Sequence, residues 1–205
     1  VTLYVRAKDR WVNLSTYGVK QAERLGFIAG GFESGEKVNA YLAEGQDLRP
    51  DESAAPLLTI PTDRAGNTAW TELQVPLVKA GNYSLMFRGQ SGGEALSHNV
   101  VISALAPAVE LSPWSGPPGS HVELNGKGFV PSEDVGIYLG DATTPALTVS
   151  ADEFGNLWGA GPVAIPYEAR APFRVTLIGQ LSHALVTRSF GVVAPKPWVE
   201  LSTYA

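Results

Sequence analysis

The chain repeats itself, and this limits what it can fold into. The run Val12-Asn13-Leu14-Ser15 recurs as Val109-Glu110-Leu111-Ser112 and again as Val199-Glu200-Leu201-Ser202, at spacings of 97 and 90 residues. Self-similarity at such a spacing marks an array of whole modules. Inside each unit, Gly31-Phe32 followed by Glu36, Val38, Tyr41 and Leu42 matches Gly128-Phe129 followed by Glu133, Val135, Tyr138 and Leu139. Further on, Asp63-Arg64-Ala65-Gly66-Asn67 with Trp70 is echoed by Asp152-Glu153-Phe154-Gly155-Asn156 with Trp158, and Pro76 by Pro166. Near the end of each unit Phe87-Arg88-Gly89-Gln90 answers to Leu177-Ile178-Gly179-Gln180, followed by Ser97-His98 in one copy and Ser182-His183 in the other. The first copy is longer between Leu42 and Asp63, where Gly, Pro, Asp and Glu read as an enlarged polar loop.

Within the units, short apolar runs end at Gly, Pro, Asn and Asp, the pattern of strands separated by turns. The most helix-like run, Val19 to Leu25, occupies the place of Gly116-Pro117-Pro118-Gly119 in the second copy and is read as loop leading into strand. A module of about 100 residues made of such strands fits an immunoglobulin-like sandwich. The expected fold class is therefore all-β, two tandem immunoglobulin-like β-sandwich domains with partial flanking strands. The expected boundaries are 1–10 for the last strand of a preceding repeat or an N-terminal extension, 11–103 for domain 1 and 104–107 for a linker. Domain 2 follows over 108–193, then a linker over 194–197 and the first strand of a further repeat over 198–205. Pro in both linkers restricts φ and predicts a stiff join. The sequence opens on Val1 with no charged-then-apolar leader, so a secretion signal is expected to have been removed or to lie upstream.

Composition narrows the function classes. Apolar residues make up 44% and charged residues 17%, too hydrophobic a balance for disorder, and no apolar run approaches the roughly 18 residues of a membrane helix. The net charge of −5 provides no basic field for phosphates, so neither nucleic acid nor membrane insertion is expected. Cysteine is absent, which leaves packing to hold the fold.

The candidate chemistry is sparse. His98, His121 and His183 do not cluster with carboxylates in the sequence, so they read as surface or strand-end residues and no metal site is expected. Ser97-His98 and Ser182-His183 place nucleophile and base on adjacent residues, which face opposite ways in a strand. Asp63, Asp152 and Glu153 supply one or two carboxylates per turn, fewer than calcium takes, and read as turn formers. Lys37 and Asn99 lack counterparts in the other copy and so do not suggest an isopeptide clamp. The aromatic residues remain as candidates for interdomain or ligand contacts: Trp11, Trp114 and Trp198 near the start of each module, and Trp70 and Trp158 at matching repeat positions. The matching of Trp70 with Trp158 predicts core or domain-junction packing.

The stretch Leu111-Ser112-Pro113-Trp114-Ser115-Gly116-Pro117-Pro118-Gly119, running through Gly126-Lys127-Gly128-Phe129 to Val130-Pro131-Ser132-Glu133, resembles the start of bacterial extracellular immunoglobulin-like repeats of the IPT/TIG-like group. The first copy keeps Gly31-Phe32 and Glu36 but departs from the Ser-Gly-Pro-Pro-Gly turn. The resemblance implies a non-enzymatic, cofactor-free structural repeat segment of an extracellular or cell-surface protein: stalk, adhesin spacer, filament or surface-layer subunit. Its partners would be neighbouring repeats of the same protein, extending to head-to-tail self-assembly. The rival reading is a carbohydrate-binding accessory module of a secreted enzyme, with surface glycans as partners.

Overall fold

A computed structural model describes residues 9–45, 49–50, 54–97 and 99–194. The expected flanking strands, with Trp198, His98 and residues 195–197 of the second linker, lie outside these residues. The chain divides into two compact units, Val1–Ala104 and Leu105–Ala205.

Unit 1 contains β1 (Trp11–Leu14), β2 (Gly18–Lys20), β3 (Arg24–Gly30), β4 (Lys37–Glu44), β5 (Leu58–Pro61), β6 (Thr71–Gln74), β7 (Gly81–Gly89), β8 (Glu94–Leu96) and β9 (Val100–Ser103). One sheet has the order β1-β3-β6 and the other β2-β9-β7-β4-β5, with β8 also paired to β7. Unit 2 contains β10 (Ala108–Ser112), β11 (Ser115–Gly116), β12 (His121–Lys127), β13 (Asp134–Leu139), β14 (Leu147–Ser150), β15 (Leu157–Ala164), β16 (Phe173–Gly179) and β17 (Leu185–Val192). Its sheets, β10-β12-β15 and β11-β17-β16-β13-β14, repeat the plan of unit 1, with the continuous β17 in the place of β8 and β9. In both units the opening segment changes sheets: β1 and β10 pair antiparallel with β3 and β12, whereas β2 and β11 pair parallel with β9 and β17. Two facing sheets with this crossing form an immunoglobulin-like sandwich.

Alternation along the strands builds each core. In β3, Leu25, Phe27 and Ala29 point inward, and in β12 the equivalent Val122, Leu124 and Gly126 do so. Phe27 meets Phe87 of the facing sheet with ring centroids 4.8 Å apart, while Leu124 and Leu177 hold the matching places in unit 2. Phe32 and Phe129 are buried in their respective cores. The run from Val19 is strand β2, a turn and then β3, and Ala22 takes a positive φ of 61° in that turn where unit 2 has Gly119.

The Asp-x-x-Gly-Asn segments form tight turns, but not within a two-stranded hairpin. β5 and β6 lie in different sheets, as do β14 and β15, and beyond Asp63-Asn67 only Thr62 and Thr68 pair across the first turn. The chain crosses between layers here, so the turn closes locally while its strands diverge.

Candidate functional site

The repeated motifs meet at one end of each sandwich. Phe32 N–H donates to the carbonyl of Gly66, and Phe129 N–H donates to that of Gly155, both at 3.1 Å. Gly35 N–H donates to Asp63 O and Ser132 N–H to Asp152 O, again at equivalent positions. Within each turn the aspartate caps its own backbone: Asp63 Oδ1 accepts from Ala65 and Asn67, and Asp152 Oδ1 from Phe154 and Asn156, at 2.8–2.9 Å. The hydrogen bond from the Asn156 N–H, joined by that from Phe154, holds the Asp152 carboxyl below its ordinary range, against a smaller opposing effect of burial. Both carboxylates are occupied as turn formers.

Glu36 and Glu133 join a third loop to this end. Glu133 Oε1 accepts from Val130 N–H at 2.7 Å, and Oε2 accepts from Ser182 N–H at 3.0 Å and Leu181 N–H at 3.3 Å. Glu36 accepts likewise from Glu33 N–H at 2.6 Å and Ser91 N–H at 2.9 Å. Each glutamate thus ties the loop after β3 or β12 to the turn after β7 or β16. Burial pushes the Glu36 pKa up, but the hydrogen bonds from Ser91 and Glu33, with the Arg10 charge, outweigh it and leave the pKa lowered.

The serines of the Ser-His pairs are structural. Ser182 Oγ donates to Glu133, and Ser97 Oγ accepts from Leu85 N–H at 3.0 Å. His121 and His183 are exposed. Among the described residues no three His, Cys, Asp or Glu side chains gather as metal ligands.

Trp70 and Trp158 depart from the core packing that their matching predicted. They are not core residues, being 57% and 74% exposed. Their matching is also offset: Trp158 lies within β15, whereas Trp70 precedes β6 and stands one residue further from its turn aspartate. The buried residue before each of them is Thr68 in unit 1 and Leu157 in unit 2. Trp158 Nε1 donates to Asp152 Oδ2 at 3.1 Å, and Trp114 is 73% exposed in the loop between β10 and β11.

Trp11 and Trp70 share a setting that unit 2 lacks. On β3 the outward positions are Arg24, Gly26, Ile28 and Gly30, alternating with the inward Leu25, Phe27 and Ala29. The indole of Trp70 fills the space where a side chain on Gly26 would stand, and that of Trp11 does the same over Gly30. Trp11 is also the cross-strand partner of Gly30, and Asn13 that of Ile28. The equivalent outward residues of β12 are Glu123, Asn125 and Lys127, all exposed, and Ala108 replaces Trp11. Sequence reasoning picked out the two indoles but missed the glycines beneath them. The signal was two glycines four residues apart on the outer face of a strand whose inner face is apolar.

No family model matches this chain, and no curated protein does. Among solved structures it is similar to a tetra-tandem repeat in the extending region of a large adhesion protein, at 14% identity and TM-score 0.34, over 89% of this chain and 48% of that one. It is similar to the D00-D0 domain of intimin at 6% identity and TM-score 0.35, over 90% and 100% of the two chains. A third likeness is to the native conformation of E. coli alpha-2-macroglobulin, at 10% identity and TM-score 0.32, over 86% of this chain and 14% of that one. The chain spans about half the length of the adhesion-protein repeat structure.

Proposed function

We propose that this chain is a non-catalytic structural segment of an extracellular or cell-surface protein, in which such modules follow one another as a stalk, spacer or filament subunit. One observation carries the reading: the same three-loop interlock, centred on Glu36 in one unit and Glu133 in the other, is built twice, and each unit closes its own core around it. A module stabilised from within is one that an array can copy. The Ser-Gly-Pro-Pro-Gly and Gly-Phe motifs add the resemblance to IPT/TIG-like repeats. Neighbouring repeats of the same protein are its partners in this reading.

Antibodies raised against the chain and applied to intact and permeabilised producing cells test it. Labelling of intact cells, with elongated beaded projections or filaments in electron micrographs, is the expected result. Labelling confined to permeabilised cells would overturn it.

A further inference from the structure

We infer that the outer face of β1, β3 and β6 in unit 1 binds a neutral oligosaccharide, stacked on Trp11 and Trp70. The spacer role concerns the fold of both units, and this proposal stands apart from it because only unit 1 has the face.

Three features lead there. The first is that both rings are supported from below and open from above. Trp11 and Trp70 rest over Gly26 and Gly30 yet remain 40% and 57% exposed. Indoles already held against the backbone lose little freedom when a ligand covers them. Buried tryptophans would serve packing alone, and unsupported ones would swing. In unit 2 the single tryptophan on the matching strand, Trp158, is tied at its indole nitrogen to Asp152, and the outward residues of β12 are Glu123, Asn125 and Lys127 where β3 has bare glycine.

The second feature is size. Gly26 and Gly30 are four residues apart, so the two indoles are seated roughly 13 Å apart along β3. Strands of four, seven and four residues present a face of about 240 Å². A stable protein interface takes about 800 Å² from each partner, so this face is too small for a second copy of the chain. A short oligosaccharide reaches from one ring to the other.

The third feature is charge. Arg24 and Glu72 neutralise one another at 3.4 Å beside Trp70. Asn13 is exposed opposite Ile28, and the Asn67 side chain reaches over Gly30. An apolar floor edged by amides and one closed ion pair complements the C–H face and hydroxyl rim of an uncharged sugar. It offers no net charge to a uronate or a sulfated chain.

The test uses the whole chain against immobilised neutral oligosaccharides, namely cello-, manno-, malto- and galacto-hexaoses, with hyaluronan and heparin fragments as acidic probes. Binding to at least one neutral series is expected, with quenching of tryptophan fluorescence. Trp70→Ala and Trp11→Ala each weaken it at least tenfold, Trp70→Phe restores part of it, and Trp158→Ala leaves it unchanged. Circular dichroism of each variant confirms that it is folded. No binding to any neutral probe, binding confined to the acidic probes, or equal loss in Trp158→Ala would overturn the proposal. So would a concentration-dependent dimer that Trp70→Ala abolishes.

Discussion

Glu133 sits directly over Gly179: a side-chain carbon at Gly179 would lie 2.5–2.6 Å from both carboxylate oxygens. Glu36 stands over Gly89 in the same way. The repeated glycine is therefore the space that the repeated glutamate needs, and the two are conditions for each other.

The first prediction follows from that dependence. Glu133 is only 4% exposed and accepts from three backbone N–H groups, so Glu133→Ala leaves those donors without their acceptor. A buried donor left unsatisfied costs about 1–3 kcal/mol, so with three such donors unit 2 is expected to lose at least about 3 kcal/mol. Gly179→Ala forces the carboxylate aside and costs about 1–3 kcal/mol as an overpacking change. Native-state hydrogen exchange of β12 and β16 amides reads both losses, while β3 and β7 amides in unit 1 keep their protection.

Acid is expected to act on unit 1 through Glu36. Its pKa is lowered from 4.5 in the folded chain, so the charged carboxylate stabilises the fold above that value. The contribution is lost as pH falls from 4.5 through the folded value, because the unfolded chain takes up the proton first. Urea midpoints for β3 and β7 amides, measured across that window, fall in the wild type. They fall less steeply in Glu36→Gln, which has no proton to bind.

Backbone strain gives a prediction of opposite sign. Ser132 holds a φ of 60° where its repeat equivalent is Gly35 at 71°. A left-handed residue other than glycine costs about 1–2 kcal/mol, and part of that is returned as unfolded-state entropy when glycine is introduced. Ser132→Gly is therefore expected to stabilise unit 2 by about 0.5–1 kcal/mol. Gly35→Ser should destabilise unit 1 by a similar amount, both read as shifts in guanidinium midpoint.

The fold was legible in the sequence because its repeats are packing rules. Gly31-Phe32 with Glu36 and Asp63 with Gly66-Asn67 recur in unit 2 because they bond to one another, and such mutual bonding preserves spacing. The tryptophans were harder to read. Trp70 and Trp158 look alike when aligned on their turns, but a one-residue offset beside a strand changes what the side chain meets. Trp70 rests over Gly26 of β3, whose counterpart on β12 is Glu123, and such a partner belongs to a different strand far away in the sequence. The turn motifs were legible only locally for a related reason. A turn motif encodes its own closure, whereas the sheet each flanking strand joins is decided by distant partners.

The parallel pairing of β2 with β9 sets how unit 1 answers to tension. β2 lies near the start of the module and β9 at its end, and Gly18, Val19 and Lys20 pair with Val101, Ile102 and Ser103 in one direction. Pulling the two ends apart slides these strands lengthwise, so the rungs between them are loaded together in shear and do not open in turn like a zipper. Ser115 and Gly116 stand against Gly191 and Val192 in the same sense. In each module the opening strand, β1 or β10, stands ahead of this parallel pair, so tension first strips that strand from β3 or β12 and then falls on the parallel pair in shear.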